Sequence, residues 1–192
     1  MADPLEPYWL ALGKFVHRYA LIESALSGVL CVVAGVSRSK AKAIFSGTRA
    51  IDAISFINRI HDVDKRELSP WLERAFPKIK ELTTARNDIL HQGFKLKGDR
   101  IIVSNTERTI PRAAVERPYS AADIYDMEAD ACVVIANLNM FWIEARYPKR
   151  YKWVPRERSI AQTPWRHKPP QPLRDQGRPS KATKAQKASP QP

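Results

Sequence analysis

Residues 69–93, SPWLERAFPKIKELTTARNDILHQG, contain the pattern that decides the fold of this chain. Apolar residues recur there at three- and four-residue spacing, which is typical of a helix that buries one side. Ser69 and Pro70 suit the start of such a helix, and Gly93 suits its end. We expect a long amphipathic helix whose buried stripe includes Trp71, Leu72, Ala75, Phe76, Ile79, Leu82, Ile89 and Leu90.

Arg86 interrupts that apolar stripe, and His91 follows it five positions later. Charged residues at positions that a pattern reserves for apolar ones concentrate at functional sites. Metal-free RNA cleavage needs a group of near-neutral pKa to move the 2'-hydroxyl proton, and histidine is the usual choice. It also needs a fixed cation that faces the phosphate, for which a planar guanidinium is suited. Arg86 and His91 are therefore the candidate catalytic residues.

Structural explanations compete with this interpretation. An Arg and a His at this spacing occur by chance in many chains, so the pair needs the helical context around it. Arg86 can form an ion pair with Glu23 inside a helical bundle, and His91 can be favoured by the helix dipole at a carboxyl end. Asn87 is positioned to orient the imidazole or to bind a phosphate oxygen, and Asp88 to hold the ring cationic. Both are also ordinary residues for a last helical turn.

The run Arg86-Asn87-x-x-x-His91, with Gly93 soon after it, resembles the Arg-x4-His signature of the HEPN superfamily. The segment 19–26, YALIESAL, is similar to an aromatic-x-x-Ile-Glu-x-x-Leu pattern of several HEPN families, in which the acid (here Glu23) lies near the site. The resemblance covers about residues 8 to 146. It implies an all-α bundle and a metal-independent endoribonuclease, often a toxin or phage-defence effector. Other members are inactive and serve in binding or assembly.

Four helical segments and one hairpin are predicted along the chain. The helices are residues 8–33, the pair 39–45 and 48–63, the motif helix, and a last helix that begins with a capping box at Ser120 and Asp123. Residues 94–103 alternate as two short strands around Gly98 and Asp99. The expected fold is an all-α, up-down bundle of four to five helices in domain 1–147, with a small β-hairpin before the last helix.

Most of the net charge lies in the last 45 residues. The chain carries +12, and residues 148–192 hold 12 Lys and Arg against Glu157 and Asp175, which leaves +10 there. Nine of these residues are Pro and few are large aliphatics, so we expect a mostly disordered basic tail. Such a tail attracts nucleic acid through counterion release, and Trp153 and Trp165 can stack on unpaired bases. The competing explanation is a solvated tail that aids solubility.

The predicted hairpin adds a second cationic surface. Lys95, Lys97 and Arg100 can line a path for RNA, although a solvated hairpin face is the commoner explanation of such residues. The candidate RNA-binding residues are these three together with Trp153 and Trp165.

Helix geometry favours an assembly of two chains. At about 100° per residue, Arg86 and His91 lie about 140° apart around an ideal helix, so one copy cannot readily aim both at one phosphate. A two-fold dimer whose motif helices meet near the axis would bring two Arg and two His to one cleft. We therefore expect a homodimer.

Other classes of site find little support in the sequence. Cys31 and Cys132 indicate no disulfide framework, and His17, His61 and His167 lack the spacing of metal ligands, so we expect neither a metal nor a cofactor. The amino terminus lacks a cationic signal-peptide start, and the longest apolar run, 25–36, is shorter than the roughly 20 residues that span a bilayer. We expect a cytoplasmic protein without a membrane segment.

The sequence thus favours a dimeric, metal-independent endoribonuclease acting on single-stranded RNA. The alternative is a non-catalytic dimer of the same kind that binds RNA, a nucleotide or a protein partner. A third hypothesis is that the endoribonuclease is a toxin that a cognate antitoxin holds inactive.

Overall fold

The structure is a computed structural model that describes residues 3, 5–91, 94–98, 100–104, 116–149 and 154–171. Within these ranges it is mostly helical, with one small antiparallel sheet. In chain order the elements are α1 (Glu6–Val33), α2 (Arg38–Phe45), α3 (Ala50–Asp64), α4 (Pro70–His91), β1 (Phe94–Lys97), β2 (Arg100–Ser104), β3 (Glu116–Tyr119), α5 (Ala121–Arg146) and α6 (Pro155–Ala161).

The predicted helices are confirmed with small changes at their ends. α5 begins where its capping box predicts: the Ser120 hydroxyl accepts from the Asp123 backbone N–H at 3.1 Å, and the Asp123 carboxylate accepts from the Ser120 N–H at 2.7 Å. These bonds satisfy two backbone donors that a helix start leaves free.

Burial of the apolar stripe of α1 organises the core. α1 packs along most of α5, α4 lies against α5, and α3 lies against α1. The side chains that fill the space between these helices are almost fully buried, and the largest include Phe15, Tyr19, Ile22, Leu26, Ile54, Ile57, Leu72, Ile79 and Leu82.

α1 is long and apolar enough, by length and composition, to cross a membrane. The buried core helix of a protein without membrane segments passes the same test. In this structure α1 buries nine residues within the bundle, Tyr8, Phe15 and Leu26 among them. Both the absence of a membrane segment and the cytoplasmic location remain predictions.

The predicted hairpin is confirmed and gains a third strand. β1 pairs with β2, and Gly98 adopts the positive φ of 64° that the connecting turn requires. β3 pairs with the other edge of β2, with Tyr119 opposite Ile101. β3 was missed because Pro118 argues against a strand. Residues 105–115, which join β2 to β3, lie outside the described residues.

The sheet packs on the bundle. Ile101, Val103 and Tyr119 are almost fully buried and belong to the same apolar core as the helices. Burial on the helical core supplies the support that an isolated hairpin lacks in water.

Residues 154–171 of the predicted basic tail pack on the bundle, and the expectation of a mostly disordered tail over residues 148–192 remains a prediction. α6 packs on α5, where Ala161 is buried together with Ala136 and Met140. The Asn137 side-chain amide donates to the Ala161 carbonyl at 2.9 Å. From α4, Arg74 donates to the carbonyls of Ala161 and Thr163 at 3.1 and 2.7 Å. Residues 150–153 and 172–192 lie outside the described residues.

A buried polar network attaches this segment to α4 and α5. Asp130 is completely buried, and its carboxylate accepts from the backbone N–H groups of Arg166 and His167 at 2.7 and 3.0 Å. The Lys78 ammonium, also buried, lies 3.4 Å from Asp130 and 2.7 Å from Glu81, and donates to the His167 carbonyl at 3.2 Å. Such a buried pair persists only where further hydrogen bonds satisfy it, and residues 166–167 supply them.

Removal of residues 154–171 should therefore destabilise the bundle. A chain that ends at residue 153 should have a free energy of unfolding on the order of 3 kcal/mol lower than a chain that ends at 171, because apolar burial and charge-assisted hydrogen bonds are lost. Urea denaturation followed by circular dichroism measures the difference. Equal midpoints for the two truncated chains would show that the segment contributes nothing to stability.

His167 should make this attachment sensitive to pH. Burial lowers the pKa of His167 below its ordinary value of about 6.5; Lys78 adds to that shift, while Glu81, Asp130 and Asp123 oppose it. As the pH falls through about 6.5, His167 therefore takes up a proton more readily in the unfolded chain than in the folded chain. The free energy of unfolding should decrease as the pH decreases. Thermal unfolding at pH 7.5 and 5.5 should show a larger loss for the wild type than for His167→Leu. An equal loss would exclude this role.

Candidate functional site

Arg86 lies on the side of α4 that faces α1. Its guanidinium carbon lies 5.0 Å from the centre of the Tyr19 ring, within the range of a cation–π contact. Nη1 donates to the side-chain oxygen of Asn87 at 3.2 Å. Nε is buried and has no hydrogen-bond partner within the described ranges. The side chain is therefore held in place while much of its capacity to donate hydrogen bonds remains unused.

Tyr19 is the residue that holds Arg86. It is almost fully buried, and its hydroxyl lies 2.6 Å from the Thr83 hydroxyl on α4. Thr83 donates its own proton to the Ile79 carbonyl at 2.7 Å, so the Tyr19 O–H donates to Thr83. Burial raises the pKa of the Tyr19 phenol, which keeps the phenol neutral. Tyr19 is the aromatic residue of the 19–26 pattern, but its contact with Arg86 was not predicted, because Tyr19 also fits the apolar stripe of α1.

Glu23 lies one turn after Tyr19 on α1 and is half-buried. No ion pair within 4 Å joins it to Arg86 among the described residues, so the structural bridge considered from the sequence is not formed. Both charges nevertheless act on the Tyr19 phenol: Glu23 raises its pKa and Arg86 lowers it. The carboxylate and the guanidinium thus lie in one neighbourhood without neutralising each other by contact.

His91 is the last residue of α4, and its side chain is exposed. At 1.5 Å and 100° per residue, it lies about 7.5 Å along the axis and about 140° around it from Arg86. The helix continues unbroken between the two residues. One copy of the chain therefore presents the imidazole and the guanidinium on different sides of α4.

Asp88 points to a different surface from Arg86. It is buried, and its carboxylate forms an ion pair with Arg117 on β3. Burial raises the pKa of the neighbouring Tyr119 to about 12, and the Asp88 charge adds to that shift. No ion pair within 4 Å joins Asp88 to His91 in the described parts of the chain, so its visible role is to attach the sheet to α4.

The other candidate RNA-binding residues separate into two groups. Lys95, Lys97 and Arg100 are exposed on β1 and β2, and Lys97 lies directly opposite Arg100. Trp165 instead packs under the Arg74 guanidinium, 4.7 Å from its ring centre, and under the Lys78 ammonium at 5.5 Å. This packing gives the Trp165 ring a structural role, and its stacking on bases remains a prediction. Trp153 lies outside the described residues.

No group of three or more His, Cys, Asp or Glu side chains converges as a metal site within the described ranges. The two cysteines are free thiols, Cys31 buried and Cys132 half-buried.

Comparison with protein-family models, with curated proteins and with solved structures finds no match. The likeness to HEPN domains accordingly depends on the residues of the two motifs and remains a prediction.

The Asp88–Arg117 ion pair should stabilise the fold, which distinguishes it from the candidate catalytic residues. Asp88→Ala and Arg117→Ala should each lower the free energy of unfolding by about 2 kcal/mol, because each leaves a partly buried charge without its partner. The double variant should lose less than the sum of the two. Chemical denaturation of the four proteins measures the coupling, and additive losses would show that the pair contributes no interaction energy.

Proposed function

We propose that this protein is a metal-independent endoribonuclease of HEPN type that acts as a homodimer. The observation that carries the proposal is the state of Arg86, whose guanidinium is held against the Tyr19 ring and has no carboxylate partner among the described residues. A structural arginine in a half-buried position is normally neutralised by an acid. An arginine that is fixed but not neutralised is suited to bind the negative charge of a phosphate.

The proposed reaction is transesterification at one phosphodiester of RNA. The His91 imidazole of one copy takes the proton from the 2'-hydroxyl, and the 2'-oxygen forms a bond to phosphorus. Arg86 stabilises the charge that builds on the non-bridging oxygens. The bond from phosphorus to the 5'-oxygen then breaks as a water molecule gives a proton to that leaving oxygen, and the same protonated His91 returns its proton to the hydroxide that remains. The products are a 2',3'-cyclic phosphate and a 5'-hydroxyl.

The geometry of α4 supports the proposed dimer. Because one copy places His91 and Arg86 about 140° apart, the phosphate would be bound between Arg86 of one chain and His91 of another. A cyclic arrangement of two identical chains creates two such combinations around one axis.

Neighbouring residues would assist binding. Asn87 already holds Arg86 and presents an exposed amide beside it. The exposed cations Lys95, Lys97 and Arg100 follow α4 directly in the chain and would attract the RNA backbone. The negative charge of Glu23 would partly offset the positive charge of Arg86 near the Tyr19 ring. A cytoplasmic location supplies the substrate, and a cognate antitoxin would be the natural regulator of such a nuclease.

A second candidate function is RNA binding without cleavage. It is favoured by one observation, that a single chain keeps the exposed His91 away from Arg86. The same Arg86, Asn87 and hairpin cations would then hold the phosphodiester backbone.

His91→Ala and Arg86→Ala should abolish cleavage without unfolding the chain. Each removes an interaction with the transition state that costs on the order of 3 kcal/mol, which lowers the rate at least a hundredfold. Initial rates on a fluorescent single-stranded RNA measure the effect. Lys80→Gln is the matched control, since Lys80 is an exposed cation on the same helix, and it should cleave at the wild-type rate. Wild-type rates in both alanine variants would contradict the mechanism. If the wild type binds RNA but does not cleave it, the binding function is favoured.

Mixing the two inactive variants should restore part of the activity. A mixed dimer pairs the intact Arg86 of the His91→Ala chain with the intact His91 of the Arg86→Ala chain. With random exchange, half of the dimers are mixed and one of two sites is complete, so about a quarter of the wild-type rate should return. Sedimentation should show a dimer throughout. If a confirmed mixed dimer stays inactive, Arg86 and His91 do not act across the two chains.

A further inference from the structure

A cleft of about 500 Å³ lies between α1, α2 and α5, apart from the residues discussed so far. Its described lining contains no residue of the Arg86–His91 site. α1 contributes small side chains, α2 contributes two cations, and α5 contributes an amide, an indole and a guanidinium. In full, the lining is Ser24, Ala25, Ser27, Gly28, Cys31, Arg38, Lys42, Asn139, Trp142 and Arg146.

The charged side chains in the described lining of this cleft are all cationic. Arg38, Lys42 and Arg146 are exposed at its edge, and no acidic side chain belongs to its described lining. None of the three cations forms an ion pair within 4 Å in the part of the chain that the structure describes. Arg38 and Lys42 lie four residues apart on α2 and so share one face. Three unneutralised cations around one cavity favour an anionic ligand.

One wall of the cleft is suited to a flat ring. The half-buried indole of Trp142 forms part of the wall, and its Cδ1 lies 3.9 Å from where a Cβ on Gly28 would lie. Because Gly28 and Ser24 are small, space remains beside the indole. Asn139 and the serines offer hydrogen bonds to polar ring edges. An aromatic wall with a few polar groups is typical of sites for small aromatic ligands.

The cleft continues toward the start of α2. A second hollow of about 440 Å³ shares Cys31 and Arg146 with the first and is also lined by Gly35 and Ser37. Ser37 is the N-cap of α2, where backbone N–H groups and the helix dipole favour negative charge. The anionic end of a ligand would therefore be stabilised on this side, near Arg146 and Arg38.

We propose that this cleft binds a nucleotide, with the base against Trp142 and the phosphate among Arg38, Lys42 and Arg146. Two sources share this chemistry: a free mononucleotide, and one nucleotide of an RNA strand. The site does not depend on the proposed nuclease activity, because it contains none of the residues that would carry it.

Calorimetric titration of the full chain tests the proposal with four probes: adenosine 5'-monophosphate, adenosine, inorganic phosphate, and a five-nucleotide adenylate RNA. The mononucleotide should bind at least tenfold more tightly than adenosine or phosphate alone, because only it uses both the wall and the cations. If the RNA binds, the mononucleotide does not, and the variants described next lose RNA binding, the ligand is one nucleotide of an RNA strand. That result would equally support the nucleotide site.

Two variants place the binding in this cleft. Gly28→Leu fills the space beside Trp142 and should abolish binding, whereas Gly28→Ala, whose Cβ meets only an ordinary contact, should retain it. Arg146→Gln removes one exposed cation and should weaken binding about tenfold, whereas Lys80→Gln on α4 should not. His91→Ala should leave mononucleotide binding unchanged, because the cleft contains neither Arg86 nor His91, so failure of this site and failure of the nuclease proposal are distinguishable.

Three results would overturn the proposal. One is the absence of binding by both the mononucleotide and the RNA at millimolar concentration. Another is binding that survives both Gly28→Leu and Arg146→Gln. The third is phosphate binding as tight as mononucleotide binding, which would indicate a general anion surface.

Discussion

The hydrogen bond from Tyr19 on α1 to Thr83 on α4 is the constraint on which the candidate site depends. Tyr19 is large and almost fully buried in the apolar core. Its hydroxyl must be satisfied there, and the Thr83 hydroxyl, 2.6 Å away, does so. This bond fixes the Tyr19 ring beside α4. The same ring then supports the guanidinium of Arg86, so core packing and the candidate chemistry share one side chain.

α4 serves three surfaces with different functions. One carries Arg86 toward α1, and another carries Asp88 to Arg117 and so attaches the sheet. The third carries buried Lys78, which with Asp130 attaches the segment 154–171. Two of these charges are neutralised by opposite charges and stabilise the fold. Arg86 has no such partner in the part of the chain that the structure describes, and this difference in how three charged residues are satisfied is the physical basis for assigning function to one of them.

The long helices were predictable because each has an unbroken 3.6-residue apolar repeat, as in the stretch after Ser69. β3 was not, since a four-residue strand containing Pro118 has little local signal. The ordered segment 154–171 was missed because its attachment depends on single distant side chains such as Asp130, which composition does not reveal. Arg86 was found as the exception to an apolar stripe, whereas the contact of Tyr19 with Arg86 was not predicted, because Tyr19 fits the apolar stripe of α1.

The most direct test of the central claim is cleavage of a defined single-stranded RNA by the purified wild-type dimer in excess EDTA, with analysis of the product ends. A His91 and Arg86 mechanism uses no metal, so we expect full activity in EDTA and fragments that carry 2',3'-cyclic phosphate and 5'-hydroxyl ends. Loss of cleavage in EDTA, or fragments with 5'-phosphate and 3'-hydroxyl ends, would contradict the account.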